Sequence, residues 1–342
     1  MREGDSLNRV REHRLLGIVV PVFNTEDRYL LNCLESLCQD NADYCVALVD
    51  DGSKGRTAQL CSAFAEAHGD TFVYLRQNNA GQNAARNTGW RALAAAYTLF
   101  VDSDDVLAEG SINVLCDLLT HYNPDVLRFG FKVCADIGDR PKNVEGVDVI
   151  LIHHPARGAL IANQCSLWGV AIATSQLNLH PLVEGFHIGE DLASIVPILA
   201  DANSIVDVGE KLYGYVQRPS SVIQAKRHAF PLEILKAFER FDELGISSEW
   251  YEEIEWQAIK HLLYWEPLRI LKSGAPAPEA RKALFGYVNE RFPNWKDNPY
   301  LKREKSSFGP DFKMLLSGHW GFYRIFEFVK SRIAGEQEGG RQ

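Results

Sequence analysis

Three aspartates, at positions 102, 104 and 105, come directly after the apolar run Tyr97–Val101. The run has the length and residue types of a buried strand, so the sequence places three carboxylates where a strand ends. Asp102 and Asp104 would leave an extended chain on the same face. Carboxylate oxygens suit Mg²⁺ or Mn²⁺, with substrate phosphates completing the shell. The alternative is a solvated turn that caps the next helix, although capping needs only one such side chain.

A similar junction follows the apolar run Cys45–Val49, which ends in Asp50-Asp51-Gly52-Ser53. A carboxylate in this place can accept a hydrogen bond from a nucleobase N–H or a ribose hydroxyl. A plain β-turn, in which the glycine supplies a positive φ, is an equally open alternative.

A third acidic group, Glu190-Asp191, follows Gly189 at the start of a helix predicted over 189–200. A carboxylate there could remove a proton from a substrate hydroxyl. Favourable electrostatics at a helix N-terminus is the alternative reading of this pair.

The elements that would position these groups alternate between strand and helix. Strands are predicted at Leu15–Val22, closed by Pro21, and at Cys45–Val49, Phe72–Leu75 and Tyr97–Val101, with helices over 26–40, 57–68 and 83–96 between them. This rhythm predicts a parallel sheet with right-handed crossovers. Parallel strands present ligands at their carboxyl ends, so the acidic groups would meet at one rim and repel one another unless a cation lies between them.

The pattern changes after residue 125. Strands are predicted at Asp125–Val133, 204–208 and 211–217, around a polar excursion over 134–150 and the helix at 189–200. Helical periodicity then dominates over 229–245, 249–273 and 277–291. We therefore expect a catalytic domain over 1–225, with a donor half at about 15–130 and an acceptor half at about 131–225, followed by a helical domain over 226–342.

Composition limits the classes of function. The net charge of −9 lies in residues 1–228, where 28 acidic residues stand against 19 basic ones, and this argues against nucleic acid as a partner. No apolar run is long enough to span a bilayer, and the first residues lack the apolar core of a secretory signal. Seven cysteines without CxxC spacing indicate reduced thiols and a cytoplasmic protein.

Six short motifs occur in a fixed order over about 200 residues. They are Val20-Pro21-Val22-Phe23-Asn24, Val49 to Ser53, Asn79-Ala80-Gly81 through Ala85-Arg86-Asn87-Thr88-Gly89, Asp102 to Asp105, Gly189-Glu190-Asp191, and Tyr213-x-Tyr215-x-x-Arg218-Pro-Ser-Ser221-Val222. In content and spacing the set resembles the inverting family-two glycosyltransferases of bacterial capsule, exopolysaccharide and lipopolysaccharide assembly. The resemblance implies a GT-A fold, a Rossmann-like α/β architecture with a mostly parallel sheet.

The resemblance also implies a role for each motif. Residues at the nucleotide-sugar donor would be Pro21, Val22, Phe23, Asn24, Asp51, Asn79, Gly81, Arg86, Asp102 and Ser103. Phe23 stands where tyrosine is commoner, which keeps the ring for stacking on the base. Asp51 would accept the base N–H, and Asp104, with Asp102, would hold Mn²⁺ or Mg²⁺ against the diphosphate.

Asp191, helped by Glu190, would be the general base for an acceptor hydroxyl, giving a single displacement with inversion. Trp168, His187 and Arg218 are candidates for contact with the acceptor, although a lone histidine is more often structural. The resemblance therefore implies a metal-dependent transferase. It would move a sugar from a nucleotide-diphosphate sugar, with a UDP-sugar as the expected donor, to a hydroxyl of a glycan or a lipid-linked glycan.

The last part of the chain is locally basic. Residues 319–334 form an aromatic amphipathic stretch that could lie on an anionic lipid surface, at the inner face of the cell membrane. Packing on the protein surface or in a homo-oligomer is the more ordinary alternative.

Two rival functions remain open: a non-catalytic nucleotide-sugar-binding or scaffold protein, and a sugar nucleotidyltransferase. The latter would need a glycine-rich loop after the first strand, and Val20–Asn24 contains no glycine.

Overall fold

The structure is a computed structural model. It describes residues 14–39, 42–142, 144, 147–153, 156–218, 232–273, 278–304, 306–318, 320 and 323. Contacts divide the chain into two compact units, the first holding residues up to 160 and from 164 to 221, and the second residues 161–163 and those from 222 onward.

The first unit is built on nine strands. They are β1 Leu16–Val22, β2 Tyr44–Asp50, β3 Phe72–Arg76, β4 Tyr97–Phe100, β5 Val106–Leu107, β6 Val126–Cys134, β7 Val149–Ile152, β8 Val170–Ala173 and β9 Ile205–Val216. Its helices are α1 Asp27–Ser36, α2 Arg56–Ala67, α3 Gln82–Leu93, α4 Ser111–Tyr122, α5 Gly158–Asn163, whose last three residues fall in the second unit, α6 Thr174–Leu179 and α7 Glu190–Asp201.

All nine strands join in one sheet of order β3-β2-β1-β4-β8-β6-β9-β5, with β7 also paired to β9. The pairs β3/β2, β2/β1, β1/β4 and β6/β9 are parallel. Strand β8 runs antiparallel to both β4 and β6, and β5 and β7 run antiparallel to β9. Six of the nine strands (β1 to β4, β6 and β9) thus run in the same direction, so the sheet is mixed but mostly parallel, and the predicted fold class is confirmed.

Strand β1 is buried on both faces, as expected of a central parallel strand. Pro21 lies within it, paired with Val49, rather than closing it. The strand tolerates this proline because β4 pairs with β1 only over Leu16–Val19. The backbone N of Pro21 lies on the side of β1 that β4 has already left, so the missing N–H costs no ladder hydrogen bond.

Several local predictions differ from the structure. The strands expected at 204–208 and 211–217 are one continuous strand, β9. Strands β5, β7 and β8 were not predicted, and β7 begins inside the stretch interpreted as a polar excursion. These strands have only two to four residues, too few to show a periodicity, and their pairing with β4, β6 and β9 holds them in the sheet.

The second unit is helical, as the sequence predicts. Its elements are α8 Leu235–Glu243, α9 Ile246–Glu249, α10 Tyr251–Lys260, a π-helical turn His261–Trp265, α11 Glu266–Ser273, α12 Pro278–Arg291, a 3₁₀ turn Trp295–Asp297, α13 Pro299–Glu304 and α14 Pro310–Leu316. The single helix expected over 249–273 is thus interrupted by the π turn. Aromatic rings fill the core here, as where Phe312 stacks on Phe308 with centroids 4.1 Å apart.

No helix in the described ranges is both long enough and apolar enough to cross a bilayer. The amphipathic stretch predicted over 319–334 lies outside the described residues, apart from Trp320 and Tyr323, which are buried.

Candidate active site

The turn after β2 is built around the buried carboxylate of Asp50. Its Oδ1 accepts the Ser53 N–H at 2.6 Å, and its Oδ2 accepts the Tyr74 hydroxyl at 2.7 Å and pairs with Arg76 at 3.2 Å. Gly52 has φ = 80°, a conformation that favours glycine. The chain therefore bends at Asp51-Gly52 with the glycine at positive φ, and the Asp50 side chain holds the bend.

Asp51 points toward the loop that follows β3. Its Oδ1 accepts hydrogen bonds from Gln77 Nε2 and the Ala80 N–H, both at 2.8 Å, and its Oδ2 accepts the Gly81 N–H at 2.9 Å. Asn79 donates to the Asp51 carbonyl at 3.1 Å. Asp51 thus fixes the loop that leads into α3, and its expected contact with a base N–H stays a prediction.

The segment at the end of β1 divides into buried and open residues. Pro21 and Val22 are buried within the sheet, whereas the ring of Phe23 is 52% exposed. Asn24 has φ = 51°; its N–H donates to Ser53 Oγ and its Oδ1 accepts the Lys54 N–H. The Phe23 side chain is therefore accessible for stacking, and Asn24 joins this segment to the Asp50 turn.

A cleft of about 600 Å³ opens beside the same turn. It is lined by the loops after β2 and β3: Gly52, Ser53, Lys54, Gly55, Ala58, Gln59, Arg76, Gln77, Asn78 and Asn79. The lining is rich in amide and cationic groups, which suits a polar ligand.

Arg86, on α3, connects two of the acidic motifs. Its Nη1 donates to Asp191 Oδ1 at 2.6 Å and to Asn83 Oδ1 at 2.8 Å, and its Nη2 donates to Asp102 Oδ1 at 2.8 Å. The side chain is fully buried. Burial lowers the pKa of Arg86, but Asp191 and Asp102 more than offset this, so the pKa lies above its usual value and the group is a permanent cation.

Burial raises the pKa values of all three carboxyl groups in the 102–105 loop. Burial raises the pKa of Asp102 to about 6, with Arg86 opposing the shift and Asp104 and Asp191 adding to it. Burial, Asp102 and Asp104 together raise the pKa of Asp105 to about 8. Burial also raises the pKa of Asp104, against the charge of Arg218.

The end of β9 anchors this loop. Tyr213 donates its hydroxyl to Asp105 Oδ2 at 2.7 Å and accepts the Asp102 N–H at 3.2 Å. The Val216 N–H donates to Asp105 Oδ1 at 2.8 Å. Two residues further on, Arg218 forms an ion pair with Asp104. Asp105 is therefore buried and supports the loop, whereas the side chains of Asp102 and Asp104 are partly exposed. Ser103 contributes a 2.6 Å hydroxyl–hydroxyl contact with Thr25.

Helix α7 begins at Glu190 and carries Asp191 in its first turn. Asn83 holds this helix start against α3, because its Nδ2 donates to the Glu190 carbonyl at 3.3 Å and to Ser194 Oγ at 3.2 Å. Asp191 Oδ1 is taken by Arg86, whereas Oδ2 accepts only a long bond of 3.4 Å from the Leu167 N–H among the contacts described. Oδ2 is thus the more available oxygen for a proton.

The three acceptor candidates lie in different settings. The Trp168 ring stacks on Tyr213 and Tyr215, with centroids 5.1 and 5.8 Å apart, and so packs directly behind the 102–105 loop. His187 is exposed in the segment before α7. Arg218 contacts Asp104, a proposed metal ligand, rather than open solvent. Contact of any of them with an acceptor stays a prediction.

The carboxylates at this site could bind a divalent cation that has few protein ligands. In the described part of the chain, no three His, Cys, Asp or Glu side chains are grouped as a metal site. Asp102 and Asp104 nevertheless offer two partly exposed carboxylates, and burial raises the pKa of each. One or two carboxylates completed by phosphate oxygens and water is the usual shell of Mg²⁺. The residues therefore fit such an ion when a diphosphate is present.

Several residues that shape this site have no role assigned from the sequence alone. Gln82 donates to Asp102 Oδ1 at 2.8 Å, Asn83 joins α3 to α7, and Asp105 and Tyr213 support the loop. Gln82 and Asn83 lie inside the motif over 79–89, between its two defined segments, and two adjacent amides at a helix start were the available signal. The contact between Arg86 and Asp191 spans 105 residues of sequence, and no local pattern could show it.

A mostly parallel α/β sheet with acidic loops at the carboxyl edge is the GT-A type of nucleotide-sugar transferase fold. Residues 17–170 match the model of glycosyl transferase family 2. These residues match the family that the motifs resemble, so the resemblance is confirmed over this part of the chain.

Two relatives come from Streptococcus pneumoniae serotype 4. The glycosyltransferase GlyA is 36% identical over 112 residues, which cover 32% of this chain and 16% of GlyA. The glycosyltransferase GlyG is 26% identical over 224 residues, which cover 62% of this chain and 74% of GlyG. The chain thus spans about a sixth of GlyA and three quarters of GlyG.

Among solved structures, S. aureus TarS 1–349 in complex with UDP-GlcNAc is similar in fold. The TM-score is 0.56 at 17% sequence identity, over 88% of this chain and 78% of that one. At this identity the similarity concerns the fold alone.

Proposed function

We propose that the protein transfers a sugar from a UDP-sugar to a hydroxyl of a glycan or lipid-linked glycan, with inversion at the anomeric carbon. The observation that carries this proposal is the bridge formed by Arg86 between Asp102, at the predicted donor site, and Asp191, at the predicted base. One buried cation thus holds together the two groups that a single displacement requires. The choice of UDP is supported by the UDP-GlcNAc bound to the fold relative TarS.

Asp191 would act as the general base. Its Oδ1 is fixed by Arg86, and its Oδ2 is positioned to take the proton of the acceptor hydroxyl. A single base facing a donor held at the 102–105 loop leads to attack from the side opposite the leaving diphosphate, which inverts the configuration. Glu190 adds negative charge at the same helix start.

Asp104, with Asp102, would hold Mn²⁺ or Mg²⁺ against the diphosphate. A divalent ion there supplies positive charge to the departing diphosphate. To bind it, Asp104 must exchange its contact with Arg218 for the ion.

Nucleotide recognition would use the groups around the Asp50 turn. The exposed ring of Phe23 offers a face for the base, and the cleft beside Asn79 supplies amides for polar contacts. The acceptor would approach past Glu190 and Asp191, where His187 is exposed. A cytoplasmic location, at the inner face of the membrane when the acceptor is lipid-linked, belongs to the same proposal, as does homo-oligomer formation.

A donor panel tests this function. Thermal stabilisation and slow hydrolysis are measured with UDP-, GDP- and TDP-sugars, with and without Mn²⁺. We expect one UDP-sugar to raise the melting temperature and to be hydrolysed only with the metal. Stabilisation without any turnover or transfer would support the alternative of a binding or scaffold protein, and an absence of response to every donor would contradict the proposal.

A further inference from the structure

The helical second unit has a cavity of about 240 Å³ that the proposed transfer reaction does not use. It lies between three short elements, the 3₁₀ turn Trp295–Asp297, α13 and α14. The lining residues are Lys296, Leu301, Lys302, Phe312, Lys313 and Leu316.

The rim of this cavity is cationic. Each of the three elements contributes one exposed lysine: Lys296, Lys302 and Lys313. Lys302 forms an exposed ion pair with Asp297 at 3.0 Å. The acidic residue on α14, Asp311, accepts a hydrogen bond from Tyr264 at 2.8 Å. Glu304, at the end of α13, pairs with Arg303 at 3.0 Å. The lining of the cavity itself contains three lysines and no carboxylate.

The floor of the cavity is apolar. Leu301 and Phe312 are buried beneath it, and Leu316 is half-buried at its edge. A free phosphate ion would gain from the lysines but would leave this floor uncovered. A phosphate that carries an apolar chain satisfies both parts, because the chain covers the floor while the ammonium groups reach the phosphate oxygens.

We propose that this cavity binds the phosphate headgroup of an anionic phospholipid and so docks the second unit on a membrane surface. Charge complementarity favours this occupant, since lysines clustered at a surface are attracted to anionic lipids. The cavity is not lined by Arg86, Asp104 or Asp191, so membrane binding can be tested separately from the transfer reaction.

The test is vesicle co-sedimentation of the full chain. Vesicles of phosphatidylcholine alone are compared with vesicles that also contain phosphatidylglycerol, at neutral pH and low salt. We expect binding only to the second kind. The triple variant K296Q/K302Q/K313Q should bind about a hundredfold more weakly, since each lysine near an anionic surface contributes about fivefold in affinity.

A charge-matched control separates the cavity from general attraction. The variant K236Q/K272Q/K282Q removes three exposed lysines from other helices of the same unit and should bind nearly as well as the natural chain. A second variant, L316Q, leaves the charge unchanged and should weaken binding several-fold by making the cavity edge polar. Equal losses in both lysine variants, unchanged binding by L316Q, or no preference for phosphatidylglycerol would each overturn the proposal.

Discussion

The guanidinium of Arg86 lies between two carboxylates from distant parts of the chain, Asp102 and Asp191. A fully buried charge is tolerated only when it is paired and hydrogen-bonded, and here three acceptors surround it. Removing one member of such a group leaves the others unpaired and costs about 3–5 kcal/mol. Arg86 therefore sets the distance between the 102–105 loop and Asp191 as well as contributing to stability.

Arg218 occupies the place of a cation at Asp104, which leads to a first prediction. The variant Arg218→Gln should bind Mn²⁺ several-fold more tightly in the absence of nucleotide, because the metal no longer competes with a fixed positive charge. Titration of the free protein with Mn²⁺ measures this.

The control for Arg218→Gln is Arg14→Gln. This change removes the same charge from an ion pair with Asp43, at the amino ends of β1 and β2. It should leave Mn²⁺ affinity unchanged. Unchanged or weaker Mn²⁺ binding by Arg218→Gln would show that Asp104 is not a metal ligand.

The raised pKa of Asp105, about 8, leads to a second prediction. The unfolded carboxyl releases its proton near pH 4, whereas the folded one keeps it to about pH 8. Between these values the folded chain binds more protons, so stability must fall as pH rises. In Asp105→Asn, which cannot ionise, the loss of stability between pH 5 and pH 8 should be smaller.

Denaturant unfolding at both pH values, with EDTA present, measures the effect of Asp105→Asn. Asp117→Asn, a change at an exposed position on α4, should retain the natural pH dependence. Identical slopes in the two variants would contradict the assignment of Asp105 as a carboxyl kept protonated by its surroundings.

At the scale of the elements, α3 must approach the sheet closely for Arg86 to reach both carboxylates. Gly89 makes this approach possible, since a Cβ there would lie 2.4 Å from Val19 Cγ1 and 3.0 Å from Val49 Cγ2. Those side chains belong to β1 and β2 and are fully buried. The glycine in the Ala85–Gly89 motif is thus explained by packing between helix and sheet.

Gly89→Ala should therefore lower the free energy of unfolding by about 1–3 kcal/mol, the usual cost of overpacking a core. It should also reduce donor affinity by displacing Arg86. Denaturant unfolding and nucleotide titration measure the two effects.

Gly286→Ala is the control, because Gly286 lies in α12 with open space where the Cβ would be. This change should be neutral or raise stability by up to about 1 kcal/mol. Equal effects of the two alanines would show that close packing at Gly89 does not matter.

The first four strands were predictable because each is a continuous apolar run ended by polar residues, as in Cys45–Val49 before Asp50. Their common direction placed the acidic groups at one edge, and the bridge from Asp102 to Asp191 agrees with that expectation. Strand β8 was not predictable, because four residues gain their structure only from pairing with β4 and β6. The protonated state of Asp105 depends on burial and on neighbours brought together by folding.

For the whole molecule, the division into two units separates the two proposals. The residues of the transfer site lie in the first unit, and the lysine-rimmed cavity lies in the second. A variant of the cavity should therefore leave transfer to a soluble acceptor unchanged while altering membrane binding.

The central claim is that Asp191 removes the proton from the acceptor. Asp191→Asn keeps an oxygen for Arg86 but cannot take a proton, so transfer should fall by about 10²–10⁴-fold while UDP-sugar affinity changes little. Asp201→Asn, the same substitution at the far end of α7, should retain activity. The decisive measurement is the rate of sugar transfer by Asp191→Asn, with donor affinity determined on the same sample. Lost transfer with retained binding is the predicted result, and transfer at the natural rate would contradict the account.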